Sequence, residues 1–130
     1  MTETNTDFSR FLILAVDDVP INLLLVQKML SNFHFRIKTA ANGQQALDAV
    51  AAEKPDLILL DLMMPGIDGF EVLRRLRANP ETKDIRVIIL SALNSEEDVV
   101  KGYDLGANDF LMKPIIMEKL HESVLKQLPL

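Results

Sequence analysis

Residues 56–69 read DLILLDLMMPGIDG, and this stretch decides both the fold and where to look for chemistry. The run Asp56–Leu60 is nearly continuous in Leu and Ile. A strand with one wet face alternates apolar with polar residues; an unbroken run suits a strand covered on both faces in a parallel sheet. The run stops at Asp61 and gives way to a loop carrying Pro65, Gly66 and Gly69. In open α/β sheets, ligands bind beyond the carboxyl ends of the strands. Asp61 is therefore a candidate for function and not only a turn residue.

Outward from this stretch the same pattern repeats. Phe11–Val16 (FLILAV) and Ile85–Leu90 (IRVIIL) are also near-continuous apolar runs, and Asn108–Met112 is a fifth strand candidate. Phe35–Thr39 alternates instead, which predicts an edge strand with one wetter face. Between the runs lie segments with helical spacing. The first opens at Pro20, with Ile21, Leu24, Leu25 and Met29 on one face. The second runs from Gly43 through Ala46, Leu47 and Val50 until Pro55 stops it. The third carries Phe70, Leu73 and Leu76, and the fourth starts at Ser95 as N-cap, with Glu96, Glu97 and Asp98 suiting the positive helix end. The last spans about Ile115 to Leu128, with Leu120, Val124 and Leu128 in line. Five alternations of strand and helix imply a parallel α/β sheet with right-handed crossovers and helices on both faces.

The 130 residues suit one domain, here residues 11–130, preceded by a polar tail over residues 1–10 that is expected to be flexible. Apolar residues make up 48% and charged residues 25%, the balance of a globular protein with one good core. No cysteine is present, which removes disulfide, thiolate-zinc and thiol chemistry, and His34 and His121 are too far apart in sequence to suggest an imidazole cluster. A net charge of −5 argues against direct nucleic-acid binding. No apolar run is long enough to span a membrane, and the polar opening lacks the pattern of a secretory signal, so a cytoplasmic setting is expected.

Four strands deliver polar groups to one rim: Asp17-Asp18, Asp61, Ser91-Ala92 and Lys113-Pro114. Three crowded carboxylates disfavour each other's ionised form. A divalent cation resolves that conflict, and Mg²⁺ fits because it takes a few carboxylates, water and phosphate oxygens. A carboxylate nucleophile beside a metal, a lysine and a hydroxyl is equipped to form an acyl phosphate.

On Asp17-Asp18, DLMMPGIDG (Asp61–Gly69), Ser91-Ala92 and Lys113-Pro114, the chain resembles the CheY-like receiver domains of two-component response regulators, over nearly all residues after the opening tail. The resemblance implies a flavodoxin-like doubly wound (βα)5 fold with strand order 2-1-3-4-5. It implies that Asp61 is the phosphoacceptor, that Asp17, Asp18, Asp61 and the Met63 backbone carbonyl hold Mg²⁺, and that Ser91 binds the phosphoryl group. Lys113 would pair with Asp61 before transfer and with the phosphoryl group after it. Ser91 and Phe110 would form the switch, and Pro114 would follow a cis bond. The implied phosphodonor is a histidine kinase or histidine phosphotransfer protein. The resemblance makes the chain a signalling module rather than a turnover enzyme, and leaves dimerisation on phosphorylation open.

Each residue also has a plainer reading. Asp17-Asp18 could mark a helix start, Ser91 could be a loop hydroxyl and Phe110 could be core; their company at one rim is what favours function. Phe8, Phe11, His34 and His121 read as packing or surface. A hydrolase with an aspartyl-phosphate intermediate needs a second Asp two residues after the nucleophile, where this chain has Met63. A flavin or nucleotide carrier needs a phosphate loop after strand one, where this chain has Asp17-Asp18-Val19-Pro20. A receiver that binds partners without phosphorylation would not need its acids and lysine intact. Met63 and Leu93, two residues past Asp61 and Ser91, are apolar and offer no general base for water, so a long-lived phosphorylated form is expected.

Overall fold

In the computed structural model, which describes residues 8–93 and 95–129, five parallel strands form one sheet. They are β1 (Leu12–Val16), β2 (Arg36–Ala40), β3 (Leu57–Leu60), β4 (Arg86–Ser91) and β5 (Asp109–Met112), ordered β2-β1-β3-β4-β5. The helices between and after them are α1 (Pro20–Met29), α2 (Gly43–Ala52), α3 (Gly69–Ala78), α4 (Glu96–Asp104) and α5 (Met117–Gln127). The chain leaves β1 toward β2 and returns to place β3 on the other side. The crevice where strand order reverses therefore opens between the carboxyl ends of β1 and β3.

Alternation of side chains splits the core into two layers. Leu57 and Leu59 join Ile13, Ala15 and Ile88 under Val26, Leu30, Leu120 and Val124, so α1 and α5 cover one face. Ile58 and Leu60 join Leu14, Val16, Val87 and Ile89 under Ala46, Val50, Val72, Leu73 and Leu76, so α2 and α3 cover the other. All four residues of β3 are at most 1% exposed, the burial on both faces that its unbroken apolar run requires. Each such leucine or isoleucine contributes roughly 1.5–3 kcal/mol of transfer free energy. The strand at the other extreme is β2, where Arg36, Lys38 and Thr39 are exposed. Glu53 pairs with both Arg36 and Lys38 at 2.8 Å, putting charge on the edge and discouraging strand addition there.

The apolar spacing of α1 misleads about its orientation. Ile21, Leu24 and Leu25 do share a face, but they are 56%, 57% and 48% exposed, while Val26 and Leu30 are buried against the sheet. The segment PINLLLVQKM is apolar nearly all round, so periodicity cannot choose the inward face. The other boundaries follow their local signals. Ser95 Oγ accepts the Asp98 N–H at α4, and Asn42 and Asp68 cap α2 and α3 in the same way.

Of the tail expected over residues 1–10, residues 1–7 lie outside the described residues, and Phe8 is anchored to the fold. Its N–H donates to the Phe33 carbonyl, and its ring stacks on Phe33 and Phe35 at 5.9 and 5.5 Å. Among the described residues no helix is long and apolar enough to cross a membrane.

Candidate functional site

Each acidic residue is carried to the crevice by a strand end. The Asp61 N–H donates to the Val16 carbonyl (3.0 Å), which sets the end of β3 beside the end of β1. Asp17 Oδ1 accepts the Val19 N–H at 2.9 Å, an Asx turn that bends the chain into α1 at Pro20, where no N–H is left to satisfy. Behind Asp61, Gly69 opens α3 with its N–H on the Leu62 carbonyl (3.1 Å). A Cβ there would lie 2.3 Å from the Asp61 carbonyl oxygen, so only glycine lets the helix start this close to the site.

Carboxylate oxygens of Asp17, Asp18 and Asp61 lie within 4.8 Å of one another. Asp17 and Asp61 are buried and Asp18 is exposed. Lys113, delivered by the end of β5 and fixed by its N–H on the Ser91 carbonyl (2.8 Å), reaches in from the opposite side. Its Nζ is 2.9 Å from Asp17 Oδ2 and 3.5 Å from Asp61 Oδ1. Asp17 is thus the nearer partner of the lysine, a pairing that strand ends alone could not order. The Lys113–Pro114 bond is cis.

One ammonium faces three carboxylates, and the imbalance is visible in Asp61. Burial pushes its carboxyl above the ordinary aspartate value; Lys113 opposes this and the Asp17 charge adds to it. The weak contact from the Met63 N–H, at 3.4 Å, gives little relief. An all-oxygen donor set with surplus negative charge suits a hard divalent cation. Within the described residues, this is the group of acidic side chains spaced to hold one.

Ser91 is fully buried, and its Oγ accepts the Leu93 N–H at 3.0 Å, shaping the loop that leads to α4. Phe110 is partly buried on the α2–α3 side of the sheet and pairs in register with Ile89. Met63 is 56% exposed beside Asp61. A groove of about 230 Å³ runs from Asp17 and Lys113 along Asn22, Leu25 and Met29 to Ile115. The sequence shows Leu25 and Met29 on one face of α1, but spacing within one helix cannot show that this face meets Lys113 and Ile115, far along the chain, to form a groove.

The family model described as response regulator receiver domain matches residues 13–125, the region that holds all five strands and the residues Asp17, Asp18, Asp61, Ser91 and Lys113. The chain belongs to that family. Receiver domains take part in two-component signalling by accepting a phosphoryl group on an aspartate. Response regulator PleD of Caulobacter vibrioides is 45% identical over 103 residues, which cover 79% of this chain but 23% of PleD. Sporulation initiation phosphotransferase F of Bacillus subtilis is 39% identical over 118 residues, covering 91% of this chain and 94% of its own length. The receiver therefore spans less than a quarter of one relative and nearly all of the other. Among solved structures, Vibrio cholerae chemotaxis protein CheY4 superposes with a TM-score of 0.84 at 30% identity, over 91% of this chain and 98% of its own. That likeness accords with the 2-1-3-4-5 order seen here.

Proposed function

We propose that Asp61 is the phosphoacceptor of this receiver and that a histidine kinase or a histidine phosphotransfer protein is its donor. The observation that carries this reading is the placement of the Lys113 ammonium 3.5 Å from Asp61, with the Asp17 and Asp18 carboxylates alongside. An Asp61 oxygen attacks the phosphorus in line; its O–P bond forms as the P–N bond to the donor histidine breaks, and that electron pair stays on the imidazole nitrogen. Lys113 moves its charge toward the phosphoryl oxygens as they draw near, and Ser91 donates a hydrogen bond to one of them. Asp17, Asp18, Asp61 and the Met63 carbonyl would hold Mg²⁺, which supplies the remaining neutralisation of phosphoryl charge. Ser91 and Phe110 then carry the change toward α4. A protein donor, rather than a small molecule alone, accords with the exposed Ile21, Leu24 and Leu25 beside the groove. The chain acts on this reading as a signalling module that catalyses only its own phosphorylation and dephosphorylation, in a cytoplasmic setting.

Intact-mass measurement after treatment with acetyl phosphate and Mg²⁺ tests it. The wild type gains one phosphoryl mass; Asp61→Asn gains none, and so does the wild type after chelation of the metal. A phosphoryl mass on Asp61→Asn refutes the assignment. The exposed Met63 and the apolar Leu93 leave attacking water without a base. The phosphoryl mass is therefore expected to persist for minutes or longer after the donor is removed, and decay within seconds would contradict this.

A further inference from the structure

Alone among the five α-helices, α4 buries no side chain fully: its one buried residue is Gly102. That glycine lets the helix backbone lie flat on β4 and β5, since a Cβ there would meet Ile89 Cδ1 at 2.9 Å and the Phe110 ring at 3.3 Å. With a glycine at the centre of its buried face, α4 is held by Leu105, half-buried against the core at its carboxyl end, and by polar contacts. Two are light and exposed: Lys101 sits over the Phe70 ring at 4.3 Å, and the Tyr103 hydroxyl donates weakly to Asp109 at 3.3 Å.

The third contact is of another kind. Arg77, from the last turn of α3, donates from Nε and Nη2 to the Gly106 carbonyl at 3.0 and 2.9 Å, in the turn that ends α4. Nη2 also reaches Asn108 Oδ1 at 3.2 Å, and that oxygen accepts the Val87 N–H of β4 at 2.8 Å. Gly106 has φ +105°, and a Cβ there would lie 2.8 Å from Arg77 Nε, so the turn is shaped around the guanidinium. The cation sits at the carboxyl end of α4, where the helix dipole favours it. This arrangement is costly. Burial pulls the guanidinium pKa down, and Nη1 is buried with no hydrogen-bond partner among the described residues. Such a cost at a surface helix end calls for a return elsewhere in the molecule.

We infer that Arg77 is a positioning residue that clamps the carboxyl end of α4 to α3 and thereby sets the resting balance of that helix. The other end of α4 continues from the Ser91–Leu93 loop. Holding the far end restricts how that loop and helix adjust together, so the clamp opposes the conformation that accepts a phosphoryl group.

Hydrogen exchange of the whole chain without donor tests the clamp in Arg77→Met, which keeps most of the aliphatic stem. Amides of residues 96–104 should exchange roughly tenfold faster, about what losing hydrogen bonds to a charged group brings, while β1 and β3 stay as in the wild type. Arg77→Lys should recover part of the protection, and Arg75→Met, on the outer side of α3, should match the wild type. Phosphoryl uptake from acetyl phosphate with Mg²⁺ should start several-fold faster in Arg77→Met, because the receptive population is larger. Unchanged exchange in α4, an equal rise in β1 and β3, or an unchanged rate of uptake each overturns the inference. Only the uptake arm rests on the Asp61 reading; a wild type that takes no phosphoryl group defeats that reading, and the exchange arm still decides whether the clamp exists.

Discussion

Lys113→Met is expected to slow phosphoryl uptake from acetyl phosphate by about a hundredfold, the scale of losing one preorganised charge at a developing anion. The wild-type ammonium stands between Asp17 and Asp61 at 2.9 and 3.5 Å, so its removal leaves two buried carboxylates facing each other without a protein cation. The substitution also moves the pH dependence in a definite direction. Asp61 already has its carboxyl raised by burial, and Lys113 is the largest influence lowering it. Without the lysine the carboxyl rises further, so the reactive carboxylate is lost at a higher pH as the medium is acidified. Stability follows the same sign. A carboxyl whose folded pKa lies above its unfolded value holds more protons when folded, so stability falls as pH rises through the interval between the two values, and that interval widens in the variant. Initial rates of mass gain between pH 5 and pH 9 check the rate and its pH dependence, and urea unfolding of the metal-free protein over the same range checks the stability. A rate within threefold of wild type and an unmoved profile would remove Lys113 from the chemistry.

Gly69→Ala is the second large effect, and it acts through the backbone. The added Cβ would stand 2.3 Å from the Asp61 carbonyl oxygen and 2.7 Å from Leu62 Cα, and neither atom belongs to a side chain that can turn away. Either α3 retreats from the sheet or the end of β3 shifts. Overpacking of this kind costs about 3 kcal/mol, which lowers the melting temperature by roughly 10 °C in a chain of this size. Gly66 provides the comparison: it has φ +78° but open space around its Cβ position, so Gly66→Ala should cost only about 1 kcal/mol of backbone strain. Urea unfolding of the two variants separates crowding from strain; equal midpoints would show that α3 yields freely. Because the shift reaches Asp61 itself, Gly69→Ala should also slow phosphoryl uptake even where it remains folded, as displacements near 1 Å can cost about a hundredfold.

Much of this was legible in the residue order because local chemistry and tertiary position agree. The unbroken apolar runs at Phe11–Val16, Asp56–Leu60 and Ile85–Leu90 became the three central strands, and the alternating Phe35–Thr39 became the edge. Ser95 capped α4 as its type and its acidic followers required. The polar residues directly after the strands converged because parallel strands all end on one rim. Where the sequence is silent, the local signal is degenerate. The α1 segment is apolar nearly all round, so nothing in its spacing could say that Ile21, Leu24 and Leu25 would face out. Arg77 lies in RRLRA among other basic residues; its grip on Gly106 joins residues 29 apart, and no local pattern marks it.

Periodicity and strand-end chemistry, read along the chain, determined the α/β architecture and the set of acids and lysine that meet at its rim. Only the folded molecule decided which of those charges touch, giving Asp17 the shorter contact with Lys113, and which faces of α1 and α4 remain outside or unanchored. The physical reason is range. Strand and helix formation depend on neighbours a few residues apart, whereas pairing geometry and helix seating depend on sheet register and side-chain volume contributed from distant parts of the chain.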